Sequence, residues 1–534
     1  MQKIKLSGFV LFASLSLLCA TQANAQSYSA KKAQLTENEL KRWSHLDMEK
    51  DSVPGMSVDR AYAELLKGKK SNPVIVGIID SGVDIEHPDL QSVVWTNKKE
   101  IAGNGIDDDK NGYVDDIHGW NFLGNITKEN YEYARIANDK NLVDDATYQK
   151  AKKEFDGKFQ ESLAMKTQME KALEGTTKAD ALLQKELKKE TYTVEDIETI
   201  TSTDKDVVRA KMVMTQMLGY GLPVAELLKE IKKQLDEAST IASGAGFVDY
   251  RKTLGDNPND LKDTKYGDNN VIGPDKEEAL HGTHVAGIVA QSRNNGIGGD
   301  GIADNVQILT CRAVPDGDEY DKDIALAIRY AVDNGAKVIN ASFGKSFSPH
   351  KQWVYDAIKY AEKKDVLIVH AAGNDAKDID VEDNFPNDSD DKKTEFAANV
   401  LTIGALNPAY GENIVADFSN YGQLNVDIFA PGVQIYATTP KESYQFLQGT
   451  SMASPNVAGV AALIRSYYPK LSAKQVKQII MASGTQVDQK VLAGEDGSPK
   501  EYKTLSVSGK FVNAYKALQM AEQVSKGKIK EIKG

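Results

Sequence analysis

Residues 73–90 read PVIVGIIDSGVDIEHPDL. The Val- and Ile-rich run up to Ile79 lacks the polar alternation of a half-exposed strand. It reads instead as a strand buried on both faces, the habit of parallel sheets. The run ends on Asp80, and a carboxylate at the tip of a buried strand is costly unless a fixed partner meets it. Five more runs share this character: VQILTCRAV (306–314), AKVINASF (336–343), DVLIVHAAG (365–373), VLTIGAL (400–406) and VDIFAPG (426–432). Between them, DKDIALAIRYAVDNG (321–335) and HKQWVYDAIKYAEKKD (350–365) space apolar residues at helical intervals. Strand–helix alternation predicts a doubly wound α/β sheet with helices on both faces, whose sites form at the carboxyl ends of the strands.

Asp80 finds candidate partners far away in the chain. HGTHVAGIVA (281–290) and GTSMASPNVAG (449–459) each place a reactive side chain, His281 or Ser451, ahead of a small-residue helix, and HAAGN ends a strand run on Asn374. Taken alone, Ser451 reads as a helix N-cap, with Pro455 tolerated in the first turn. Taken together, the four residues supply what acyl transfer requires. They are a nucleophile, a base for its proton, an acid that fixes the base's tautomer, and a donor for the developing oxyanion. His281 and His284 also stand three apart, as a metal pair would, but no third ligand follows at helical spacing, so His284 reads as a packed helix residue.

IIDSGVD, HGTHVAGIVA and GTSMASPNVAG resemble the three active-site signatures of the subtilisin-like serine proteases, in that family's order Asp, His, Ser. The resemblance covers residues 73–121 and 266–518. It implies a three-layer αβα sandwich with a mostly parallel sheet, a triad of Asp80, His281 and Ser451, and Asn374 as oxyanion donor. It further implies that Ser342, Phe343 and Gly344 pair with an extended peptide. Gly344 with Ala371, Ala372 and Gly373 then leaves an open first pocket for sizeable side chains. The acids of DGDEYDKD (316–323) either line the opposite rim, favouring basic residues upstream of the cut, or lie in a solvated loop.

The chain departs from the family between the first two motifs. Asp80 and His281 are 201 positions apart, and from 127 to 244 strand signals give way to Lys, Glu and Met. Phe155, Phe159 and Leu163 start one helical face, and Val224, Leu227, Leu228, Ile231 and Leu235 form another. This is expected to be an all-α insertion of two to four helices with its own packing core. The resulting organisation is a signal peptide (1–25), an N-terminal arm (26–72), a catalytic domain in two parts (73–126 and 245–520) split by the insertion (127–244), and a tail (521–534).

Residues 1–25 combine Lys3 and Lys5, an apolar stretch and Ala23-Asn24-Ala25, which predicts export to the periplasm or beyond. Cys19 offers a less favoured lipid anchor, and Cys311 is the only other cysteine, so no intrachain disulfide survives cleavage. No other stretch is apolar enough to span a membrane. A net charge of −12 argues against nucleic-acid partners and anionic membrane surfaces. Stability must therefore come from burial or from metal. Asp107, Asp109, Asn111, Gly112, Tyr113 and Asp115 fit successive positions of a calcium loop, with Asp116 in place of the closing Glu; the alternative is a solvated acidic turn. The family resemblance adds a second calcium candidate at Asp89 and Asn295. The expected function is a secreted serine endopeptidase acting on peptides or proteins. The alternatives are a narrow-specificity maturation protease gated by the insertion, and a binding module on a dead protease scaffold.

Overall fold

The computed structural model describes residues 28–218, 223–242 and 247–532. The expected signal segment, with Cys19, lies outside them.

The strands run in chain order as β1 (Val74–Asp80), β2 (Gly119–Asn121), β3 (Val306–Arg312), β4 (Val338–Ala341), β5 (Leu367–Ala371), β6 (Val400–Leu406) and β7 (Ile428–Pro431). There follow β8 (Ile435–Thr439), β9 (Ser443–Leu447), β10 (Thr485–Gln486), β11 (Lys490–Ala493), β12 (Ser498–Glu501) and β13 (Lys510–Phe511). Nine of them form one sheet in the order β10-β13-β7-β6-β5-β4-β1-β3-β2, parallel except for β10 against β13. β8–β9 and β11–β12 are separate hairpins.

The sheet is buried on both faces, as its composition demands. Val76 and Ile78 of β1 pack into one core with the helices Leu280–Ala290 and Thr450–Tyr467. Ile79, the alternate residue, packs into a second core with the helices Asp321–Asp333 and Lys351–Lys363. Helix, sheet and helix therefore make three layers, and the fold is the expected α/β sandwich.

Residues before β1 belong to the first core rather than to a separate body. Trp43, Met56 and Val58 are fully buried there, and the Trp43 indole N–H donates to Val433 O at 3.0 Å. Ala514 N donates to Met56 O at 2.7 Å, joining this segment to the last helix, Ala514–Ser525.

Between β2 and the histidine helix the chain is helical: Glu132–Asn138, Asp145–Leu187, a short turn at Val194–Glu198, Lys205–Leu218 and Val224–Ala242. The 43-residue second helix is about 65 Å long. Leu183, Ile197 and Met214 form a small core of its own at its far end. Met165 and Met212 are exposed, so only part of the methionine set is core. The two stems meet: Asn130 Nδ2 donates to Val248 O at 2.7 Å, and Val248 N donates to Asn130 Oδ1 at 3.1 Å. Among the described residues, no helix is long and apolar enough to cross a membrane, and Cys311 is buried and unbridged.

Candidate active site

Asp80 closes β1, and its neighbours β3 and β4 end level with it: Asp80 pairs with Arg312, and Ile79 with Ala341. The carboxylate is 1% exposed. Its Oδ1 accepts from Ser81 N at 2.8 Å and lies 2.7 Å from His281 Nδ1, which satisfies the partner that burial requires. That contact assigns the proton to Nδ1 and leaves Nε2 free to accept one. The approach depends on Gly282, where a Cβ would sit 2.1 Å from Gly82 O. Burial alone would lower the His281 pKa, but the Asp80 charge and hydrogen bond outweigh it, so the net shift is upward from 6.5.

Ser451 is the second residue of helix Thr450–Tyr467, and the N-cap is Gly449, at φ +144°. The serine is therefore not the cap. Its N–H belongs to the first turn, whose donors have no partner inside the helix. Pro455 is not in the first turn as expected; it stands six residues into the helix. Lacking an N–H, it leaves the carbonyl four residues back, that of Ser451, without its helical bond. Ser342 Oγ donates to that carbonyl at 2.9 Å, and Ser451 Oγ lies 3.3 Å from Ser342 O. Asn340 and Ser454 extend this link into the sheet, through Ser454 Oγ to Asn340 Oδ1 at 2.8 Å.

Asn374 follows β5. Its Oδ1 accepts from Thr450 N at 2.8 Å and from Thr450 Oγ1 at 3.0 Å, which turns Nδ2 away from those bonds. The loop that carries it is held by Asn420. Asn420 Nδ2 donates to Ala372 O at 2.8 Å, and its Oδ1 accepts from Asp375 N and Lys377 N. Gly373, at φ +101°, has no room for a Cβ, which would meet Asn420 Nδ2 at 2.4 Å. Thr450 stands inside the GTSMASPNVAG motif but was not expected as a site residue, and nothing local in the sequence marks Asn420.

Ser451, Thr450 and Asn374 line a cavity of about 550 Å³ with Phe343, Gly344, Ala371 and Gly373. Gly344 does not simply open it. The next residue pairs with Phe385 in a two-way backbone bridge, and a Cβ on Gly344 would meet Phe385 O at 3.1 Å. The insertion supplies part of the wall, including Tyr131, Tyr133, Glu154, Lys158 and Ile241, facing residues of the segment 375–384. Lys150 Nζ reaches across to Asp383 at 2.7 Å, and Phe347 packs with Ile136 and Ala151. Beneath the cavity Lys345 is buried against Glu132 at 2.7 Å and Asp321 at 2.9 Å, and Arg135 pairs with Glu132 at 2.7 Å. The acids of 316–323 therefore form neither a solvated loop nor a simple rim. Asp321 binds Lys345, Asp323 binds Arg251 at 2.6 Å, and only Asp318 lines the cavity.

His284 is buried, with Nε2 3.0 Å from Ile435 O and 3.1 Å from Gln445 O, so it donates to the β8–β9 hairpin. Burial lowers its pKa to about 4.

The acidic loop differs from its expected ligand set. Asp107 and Asp109 do converge, but their third partner is Glu100, and the three offer carboxylate oxygens within 4.8 Å of one another. Glu100 Oε1 accepts from Asp109 N, while Oε2 is buried with no hydrogen-bond partner. Asp115 turns to the backbone of Asn104 and Gly105, and Asp116 is held by Asn97, Asn111 and Tyr330. Asn111 Oδ1 is bonded to Tyr113 N, and the Tyr113 ring packs on Trp120 and Tyr330. Asp89 and Asn295 do meet, through Asn295 Nδ2 on Asp89 Oδ1, with Tyr444 OH on the other oxygen at 3.3 Å.

Known proteins are similar to this chain over part of its length. A thermophilic serine proteinase of Bacillus sp. (strain AK1) is 43% identical over 187 residues, 35% of this chain and 42% of that protein. The cell wall-associated protease of Bacillus subtilis (strain 168) is 35% identical over 224 residues, 42% of this chain and 23% of that protein. The chain thus spans less than half the length of these relatives. Among solved structures, the prenylagaramide maturation protease PagA is 28% identical, with a TM-score of 0.37 over 45% of this chain and 82% of its own. The peptidase S8 family model matches residues 71–502. By that match the chain belongs to the subtilase family.

Proposed function

We propose that the protein is a serine endopeptidase that works through an acyl-enzyme. The observation that carries this reading is the 2.7 Å contact between His281 Nδ1 and Asp80 Oδ1 at the tip of β1, level with the end of β4, after which Ser342 bonds the Ser451 carbonyl. Nε2 of His281 takes the Ser451 proton as Oγ attacks the peptide carbonyl. The oxyanion receives Asn374 Nδ2 and the Ser451 N–H. The imidazolium then protonates the leaving amine, and a water activated by the same Nε2 hydrolyses the ester. Asp80 stays ionised throughout and stabilises the charged ring. The experiment is fluorophosphonate labelling with peptide hydrolysis. The native protein labels and cleaves, whereas Ser451→Ala does neither while its thermal midpoint stays within a degree or two. Labelling that persists in Ser451→Ala refutes the assignment.

A structural calcium accompanies this reading. Glu100, Asp107 and Asp109 offer hard oxygen donors, and the unpartnered Glu100 Oε2 fits a cation there. Bound calcium would neutralise the cluster and stiffen the loop. Asp89 and Asn295 are a second candidate. Residues 1–25 support export to the periplasm or the exterior. The narrower reading, a maturation protease gated by its insertion, is favoured by the insertion's share of the cavity wall and by the Lys150–Asp383 contact. A dead binding scaffold would need a missing catalytic group, and all four groups are present.

A further inference from the structure

The cavity beside Ser451 has a charge pattern of its own. Because Ser451, Thr450 and Asn374 line it, the residue whose carbonyl is attacked places its side chain there; this step rests on the protease reading above. Glu154, on the long insertion helix, is partly buried in the wall and has no ion-pair partner among the described residues. The nearby cations are committed elsewhere. Lys150 is 2.7 Å from Asp383, Lys158 is 2.9 Å from Glu161, and Lys345 is buried between Glu132 and Asp321. Of the remaining lining charges, Asp318, Asp375 and Glu382 are acidic and only Lys377 is basic. Lys150 and Lys158 attract Glu154 from one turn away on the same helix, but the lining still holds more carboxylates than cations, so the cavity is net acidic. The Tyr131 and Tyr133 rings, stacked with centroids 5.4 Å apart, add aromatic faces to the same wall. A carboxylate beside aromatic faces is a cation site, and partial burial strengthens both attractions relative to water.

We propose that this cavity selects a lysine or arginine side chain at the residue preceding the cut, and that Glu154 of the insertion is the specificity-determining residue. The length of a basic side chain suits the arrangement. Its methylenes lie along Phe343 and Gly344, and its charged head reaches the insertion wall. An acidic side chain is repelled there, and an apolar one leaves the carboxylate uncompensated.

The test uses the full chain and a matched series of peptidyl diphenyl phosphonates that differ only at the residue next to phosphorus. The readout is the second-order rate at which each inactivates Ser451. The basic members are expected to react at least about tenfold faster than the leucine member. Glu154→Gln should lower the basic-to-leucine ratio about tenfold, and Glu154→Lys should bring it to one or below. A wild-type protein that reacts faster with leucine or phenylalanine overturns the proposal, and so does a ratio unchanged in both variants. A small fluorophosphonate separates the two levels of failure. If it does not label the protein, the protease reading falls and takes this one with it; if it labels and the ratio is flat, only the specificity falls.

Discussion

In the proposed mechanism His281 sets the acid limb of activity. Only the neutral ring accepts the Ser451 proton, so kcat/KM should rise with pH through the His281 pKa, with a midpoint above 6.5. Asp80→Asn removes the charge that raises this pKa, so the midpoint should fall and the rate should drop on the order of 10⁴-fold. The same pair affects stability with opposite sign. Its contribution is fully present below pH 6.5, where the ring is charged in both states, and is lost as pH rises through the raised folded value. A pH–rate profile beside a pH–melting profile on both proteins checks the two signs together. Asn374→Ala should cost about 10²–10³-fold in kcat, the scale known for the matching donor in subtilisin, with little change in melting because its side chain is exposed.

Elements divide sharply in how legible they were. The six long strands of the sheet were readable because a doubly buried strand leaves an unbroken apolar run. β2 was not, since three residues carry no period, and the β8–β9 hairpin was not, since β9 is largely exposed and reads as a polar stretch. Asp80, His281 and Ser451, the proposed triad, stand in long local motifs that the sequence displays. Asn420 and Glu154 reach the site only through tertiary packing. The acidic loop was half legible. Spacing brought Asp107 and Asp109 together, but spacing cannot reveal that Asp116 serves Tyr330 or that Glu100 folds in from the preceding turn. If the loop holds calcium, the ion should raise the melting temperature, by about 2.7 kcal/mol of stability at a hundredfold excess over Kd. Glu100→Gln with Asp109→Asn should abolish most of that shift. Calcium and chelator scans that superimpose on the native protein would dismiss the site.

At the scale of the molecule, the insertion is joined to the catalytic body by more than its two stems. Glu132 neutralises Lys345 directly beneath the cleft, and breaking a buried pair of this kind costs about 3–5 kcal/mol. Replacing residues 127–244 with a Gly-Ser linker should therefore yield little folded protein, since it also uncovers Phe347. Replacing only 174–222 removes the distal core and keeps the contacts at Glu132, Ala151 and Lys150, so this variant should fold and cleave short peptides at the native rate. If the insertion gates access, Lys150→Ala should raise the rate on folded proteins relative to peptides. The pair is too exposed to matter much for stability. A protein-to-peptide rate ratio equal to wild type in that variant would leave the insertion without a gating role.

The bond from Ala514 N to Met56 O, together with that from Asn513 Nδ2 to Ser57 Oγ at 3.0 Å, ties together positions at least 456 residues apart. Closing so long a loop costs about 3 kcal/mol more than closing one of roughly 20 residues. The first core seats both Trp43 and the serine helix, and Ala514, Ala517, Leu518 and Ala521 of the helix Ala514–Ser525 complete it. A chain cut before residue 514 would hold Asp80 and His281 but leave incomplete the core on which the helix of Ser451 is seated.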